Sequence, residues 1–218
     1  MKAKIRGNPD FGNLEVTLGP NEHFLMESGA MASMTPGFEV DARLMGGFFS
    51  AVVRKLMAGE SLLVGDYCHP RGGSLTISPA VPGTVKQTRI ERGDTLFLQG
   101  GAFLAGEPSL EVTTAFGGLK ALFSGEGAFF LKVEGHGELF FNAYGGVVER
   151  QVNGALTVDT GHLVGWESTL DWKIGKMGSL KTALFSGEGL VMNFSGQGKV
   201  YLQSRSMSGL AGWLGKYC

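Results

Sequence analysis

The stretch LKALFSGEGAFFLKVEGHGELFFN, starting at Leu119, recurs as LKTALFSGEGLVMNFSGQGKVYLQ from Leu180. A more divergent copy, VRKLMAGESLLVGDYCHPRGGSLTIS, starts at Val53. The Gly-Glu pairs inside them, Gly59-Glu60, Gly125-Glu126 and Gly187-Glu188, are 66 and 62 residues apart. Such a repeat constrains the fold more than any single motif does. Each copy must be one supersecondary unit that buries its apolar face against its neighbours. Three units are expected, at about 11–79, 80–145 and 146–206, with a tail at 207–218, all in one domain spanning 1–218.

The segments ahead of these copies align as well. They are NEHFLMESGAMASM from Asn21, GDTLFLQGGAFLAG from Gly93 and NGALTVDTGHLVGW from Asn153. Each reads as a turn, an apolar strand, a polar residue, a glycine two residues later and a second apolar strand. In this frame Asp159 aligns with Gln99 and Glu27. Asp-Thr-Gly before apolar residues is also how an aspartic protease presents its carboxylate. That chemistry needs two carboxylates in equivalent surroundings sharing one proton. What stays constant here is a polar side chain and a glycine, which is what a tight bend between strands needs. Gly29, Gly101 and Gly161 are therefore read as structural turn glycines.

Thr95–Gln99, Phe129–Val133, Glu138–Asn142, Leu156–Asp159 and Lys199–Gln203 are short runs rich in β-branched and aromatic residues, punctuated by glycine. EGHGE at 134–138 and SGQGK at 195–199 read as hairpin turns. Many short strands at near-regular spacing predict an all-β sandwich, barrel or β-prism. One helical insertion is expected near 43–58, within RLMGGFFSAVVRKLMAGE (43–60), where Phe49, Val52, Val53 and Leu56 recur at helical spacing. SGLAGWLGKYC at the C-terminus is a second helical candidate, weakened by its three glycines.

Apolar residues make up 43% and charged residues 18% of the 218, which describes a globular chain rather than a disordered one. The formal net charge of −1 gives no electrostatic footprint for general nucleic-acid binding. Cys68 and Cys218 do not form a disulfide framework, which points to a reducing compartment. MKAKIRGNPDFG has no apolar h-region, and no run of about 18 apolar residues occurs. A cytoplasmic protein is expected.

LEVTLGPNE, ESGAM, GGAFLA, LKALFSGEG, DTGHLV, LFSGEGL and VYLQSRS together resemble the altered-inheritance-of-mitochondria (mitochondrial biogenesis) family, from about Leu14 to Ser206. The resemblance implies an all-β fold similar to the trp RNA-binding attenuator, a short relative of the double-stranded β-helix. With three internal repeats, this becomes an attenuator-like β-prism. The resemblance also implies no established enzymatic activity and carries no catalytic residues over. Eukaryotic relatives are mitochondrial inner-membrane proteins that support membrane organisation. The chain shows no transit-like leader, so that location is not carried over.

No catalytic set, cofactor or metal is assigned. A β-helix metal site needs two histidines and a carboxylate on adjacent strands. His23, His69, His136 and His162 are far apart in sequence, and only Asp66, Cys68 and His69 form a local cluster. The repeated Ser-Gly-Glu-Gly lacks the Lys-Ser/Thr of a phosphate loop, and no G-x-S-x-G occurs. The attenuator analogy suggests RNA, but the basic residues are scattered without the positive groove and aromatic platforms of a single-strand binder.

The remaining feature is a glycine-containing apolar stretch with a basic residue ahead of each Gly-Glu pair: MGGFFSAVVRKLM, FGGLKALF and MGSLKTALF. If the units are arranged around a pseudo-threefold, Phe48, Phe49, Leu119, Leu122, Leu180 and Leu184 form an apolar crown. Arg54, Lys55, Lys120 and Lys181 then surround it. Three uses fit: ordinary core, an oligomer interface, or contact with an anionic bilayer. The expected function is a non-enzymatic, homo-oligomeric scaffold or interaction protein. The alternatives are a protein peripheral to the inner membrane, or a ligand- or metal-binding β-helix protein.

Overall fold

In the computed structural model, residues 1–44, 63–116, 129–176 and 190–217 are described. The protein is mostly β-sheet, with its named strands paired antiparallel and one short α-helix among the described residues. The strands are β1 (Lys2–Arg6), β2 (Asn13–Leu18), β3 (His23–Glu27), β4 (Met31–Met34), β5 (Glu39–Leu44), β6 (Leu63–Cys68) and β7 (Gly73–Ile77). Next come β8 (Val85–Ile90), β9 (Leu96–Gln99), β10 (Phe103–Gly106), β11 (Leu110–Phe116), β12 (Phe129–Gly135) and β13 (Gly137–Asn142). Last are β14 (Val147–Asp159), β15 (Leu163–Glu167), β16 (Leu170–Lys176), β17 (Leu190–Gln203) and the helix α1 (Met207–Leu214).

Three sheets result. The first has the order β1-β2-β7-β4, the second β5-β6-β3-β10-β13-β8 and the third β11-β12-β9-β15-β17-β14, with β16 also pairing β17. β14 and β17 are long strands that pair along their whole length and pass through the Gly154↔Gly196 pair. Both glycines have positive φ, 118° and 113°, a region that side chains with a Cβ enter at a cost. The two strands therefore turn a corner together. Their N- and C-terminal halves join the third sheet, and the other halves, with β16, form a further half-sheet.

This corner corrects two local expectations. SGQGK at 195–199 is the bend inside continuous β17, not a hairpin turn. EGHGE at 134–138 joins β12 in the third sheet to β13 in the second, so its flanking strands do not pair with each other. Positive-φ Gly135 and Gly137 serve a change of sheet rather than a reversal within one. The helix expected over 43–58 starts in a strand, because Arg43 and Leu44 pair with Val64 and Leu63. Its remainder lies outside the described residues. The C-terminal helix is present, capped by the Ser206 side chain accepting from the Gly209 N–H.

The sheet order explains why so many residues are apolar. In the second sheet, Phe24, Met26, Leu104 and Phe140 pack with Leu14, Val16, Leu75 and Ile77 of the first. Their neighbours Leu25, Phe103, Leu139 and Phe141 pack on the opposite side, with Leu96, Leu98, Leu131 and Val133 of the third. Alternation along a strand sends successive side chains to opposite faces, so this sheet is buried on both. The third sheet repeats the arrangement. Its other face, with Phe130, Leu163, Trp166 and Val200, meets Val158, Leu170, Met192 and Phe194. Trp166 is fully buried, with Phe97 stacked on it at 5.1 Å and Phe130 edge-on at 4.8 Å.

Candidate functional site

Three antiparallel hairpins recur in the pairing. β5–β6 finishes at Leu44↔Leu63, β11–β12 at Phe116↔Phe129, and β16–β17 at Lys176↔Leu190. A third strand flanks each, and its polar last residue sits one register step from the hairpin end. The pairs are Glu27↔Val64, Gln99↔Phe130 and Asp159↔Val191. The polar residues aligned in the sequence thus hold the same position in three ladders. Because β10 continues antiparallel from β3 and β15 from β9, the turns holding Gly101 and Gly161 lie at the hairpin end of those sheets.

The turns differ in detail. The Ala30 N–H donates to the Glu27 carbonyl at 3.2 Å, and the Ala102 N–H to the Gln99 carbonyl at 3.0 Å. Gly29 and Gly101 take φ of 91° and 77°. Gly161 lies instead in a single 3-10 turn, Thr160–His162, where Asp159 Oδ1 accepts from the Gly161 N–H at 2.7 Å. Asp159 thereby acts as a cap, as short carboxylate side chains do in non-helical backbone. Thr160 donates to the Leu190 carbonyl at 3.0 Å, Gln203 Nε2 to the Gly161 carbonyl at 2.9 Å, and His162 Nδ1 lies 2.8 Å from the Gln203 carbonyl. Together these bonds tie the third turn to both ends of β17.

The crown residues Phe48, Phe49, Arg54, Lys55, Leu119, Lys120, Leu122, Leu180, Lys181 and Leu184 all lie outside the described residues. In sequence, each group falls between the two strands of one of these hairpins. α1 adds apolar surface that the sequence reading did not weigh. A Cβ on Gly161 would come 3.4 Å from both Ser206 Cβ and Ser208 Oγ, so α1 begins against the third turn. The helix has no buried residue. Met207, Trp213 and Leu214 are exposed, as is Tyr217, whose ring lies 5.2 Å from that of Trp213.

The Asp66, Cys68 and His69 cluster is split by the fold. Buried Asp66 meets His23 Nδ1 at 2.9 Å across the β3–β6 ladder. His69 is buried with both ring nitrogens engaged. Nε2 lies 3.1 Å from the Pro36 carbonyl, and Nδ1 accepts the Arg71 N–H at 3.1 Å. His69 thus organises a turn, and its lone pair is already used. His136 lies in the corner between β12 and β13. It lines a shallow cleft with Arg92, Asp94, Glu111 and Glu134, where carboxylates outnumber the basic groups.

Several basic side chains on the sheets sit against carboxylates. Arg89 lies 3.0 Å from Glu138 and 2.9 Å from Glu91, Arg6 lies 3.0 Å from Glu15, and Lys132 lies 2.7 Å from Glu134. The bond from Lys86 holds the Glu149 carboxyl below its ordinary range, and the bond from Lys132 does the same for Glu134. Burial, helped by the charges of Glu149 and Glu167, pushes the Tyr201 phenol up to about 12. No described helix is long and apolar enough to cross a membrane.

The chain is 28% identical over 227 residues to an uncharacterized protein of Streptococcus pyogenes serotype M6, covering all of this chain and 91% of that one. A crystal structure of protein SPYM3_0169 from Streptococcus pyogenes is similar at a TM-score of 0.83 and 26% identity, over 100% of this chain and 99% of that one. The mitochondrial biogenesis AIM24 family matches residues 3–205. This extent of match, over strands that carry the recurrent pairing, places the chain in the AIM24 family.

Proposed function

We propose that this protein is a non-enzymatic, self-associating scaffold that presents its hairpin end to partners. The observation that carries this reading is the threefold recurrence of one pairing pattern. Three hairpins, three polar residues and three turns hold equivalent registers. On that recurrence the chain is read as three related units of an attenuator-like, short double-stranded β-helix-like prism. The stretches holding the apolar and basic crown residues connect the hairpin strands. The exposed aromatic α1 starts beside the third turn. Exposed apolar side chains such as Trp213, Leu214 and Tyr217 are what an interface requires.

The test is the solution mass of the purified chain by light scattering, with and without Phe49→Asp and Leu122→Asp. An assembly that dissociates on these substitutions while staying folded supports the crown as a subunit contact. An unchanged mass in folded variants removes it from the subunit interface. Liposome co-sedimentation then examines the second reading, contact with an anionic membrane. That reading is favoured by exposed Trp213, Leu214 and Tyr217 next to Lys216. Lipid binding lost in Trp213→Ser would support it, and no sedimentation with anionic vesicles would contradict it.

A further inference from the structure

The second and third sheets are built by one rule. A half made of a hairpin and its flanking strand, β5-β6-β3 or β11-β12-β9, is joined to a half from the next stretch of chain, β10-β13-β8 or β15-β17-β14. The joints are the β3–β10 and β9–β15 ladders. Two halves remain unjoined. The first sheet offers β4 as its edge, in the place that β10 and β15 occupy elsewhere. The half-sheet of β16, β17 and residues 155–159 offers 155–159, in the place of β3 and β9. No ladder joins β4 to 155–159 among the described residues, and no hydrophobic cluster contains side chains from both.

Charge separates β4 from every other sheet edge among the described residues. Unpaired edges are protected by ionised side chains that oppose pairing with another chain. β1 carries Lys2, Lys4 and Arg6, β5 carries Glu39, Asp41 and Arg43, and β8 carries Lys86 and Arg89. β11 carries Glu111, the first half of β14 carries Glu149 and Arg150, and β16 carries Asp171 and Lys173. β4 reads MASM, without a charge, and exposes Met31 and Met34. Residues 155–159 read ALTVD, whose only charge, Asp159, is engaged in capping its own turn.

We propose that β4 of one copy pairs antiparallel with residues 155–159 of the next copy, completing between chains the joint that each chain makes twice within itself. The inference rests on reading the chain as a self-associating scaffold, and it names the partner and the register. Ala105, four residues after Gly101, faces Met26, one before Glu27. Gly165, four after Gly161, faces Leu98, one before Gln99. The same offsets put Ser33 opposite Val158 and Met34 opposite Thr157 of the neighbour. Each copy contributes one edge of each kind, so the contact is head-to-tail and propagates as a ring or a filament.

The experiment uses the full chain with Cys68→Ser and Cys218→Ser. Met34→Cys and Thr157→Cys are made in separate proteins, mixed and oxidised. Directly opposed strand residues are close enough for a disulfide. The expected result is a covalent pair of twice the chain mass from the mixture, reversed by reductant and absent from either protein alone. A double variant that crosslinks at single-chain mass would overturn the proposal in favour of closure within one molecule. No crosslink in either case would also overturn it. If the unsubstituted chain is an assembly by light scattering but does not crosslink, the joint falls and the scaffold reading stands. A monomeric chain would sink both.

Discussion

The β9–β15 joint and the β4 edge occupy equivalent places in the sheets and have opposite surroundings. At the joint, β15 pairs on both sides and runs LVGWE, with its first four residues buried. At the edge, β4 pairs on one side among the described residues, and all four of its residues are exposed. Strand propensity does not separate them, since both are short and mostly apolar. The difference is what lies alongside. A ladder lets both faces be packed, whereas an unpaired edge leaves backbone groups and side chains to water.

The largest expected effect falls on the joint. Trp166→Ala leaves a cavity between Phe97, Phe130 and Phe194 and is predicted to cost about 3–5 kcal/mol, measured by denaturant unfolding. Trp166→Phe is predicted to cost much less, because Trp166 Nε1 is buried without a hydrogen-bond partner among the described residues. Gly165→Ala comes next. Its Cβ would stand 2.5 Å from the Phe97 carbonyl oxygen, forcing the ladder apart at a cost of about 1–3 kcal/mol. Ser206→Ala removes the cap of α1 and is predicted to cost about 1 kcal/mol, read as faster amide exchange confined to 207–214. Met34→Lys at the edge is predicted to change monomer stability by no more than about 0.5 kcal/mol. Equal costs for Trp166→Ala and Met34→Ala would break the comparison.

The smallest effect at neutral pH concerns Tyr201, packed edge-on against Phe141. An unfolded phenol ionises near about 10. The folded one is raised to about 12, so the stabilisation is complete below pH 10 and is lost as pH rises toward the folded value. A phenolate absorbance titration should show a late ionisation step that Tyr201→Phe removes. A titration curve left unchanged by Tyr201→Phe above pH 10 would contradict the burial of Tyr201.

Much of the strand content was legible because alternating apolar runs and glycine punctuation are local signals. The alignment of Glu27, Gln99 and Asp159 was legible too, since repetition exposes register without a structure. The conformation at Gly161 was not, because the Asp159 cap replaces the left-handed turn used at Gly29 and Gly101. The corners at Gly135–Gly137 and Gly196 read as hairpins because a positive-φ glycine serves a reversal and a change of sheet equally. Which strand meets which across the sheets is a long-range matter. The one local clue missed was the lack of charge in MASM, which carries meaning only beside the charged edges of β5, β8 and β16.

β4 is an edge with no second strand partner among the described residues. The most direct test of its pairing between copies is the light-scattering mass of the full-length protein over a range of concentrations, beside Met34→Lys. The account predicts a multiple of the chain mass for the unsubstituted protein, and the single-chain mass for a Met34→Lys protein that stays folded by circular dichroism. A single-chain mass for both at every concentration would contradict it.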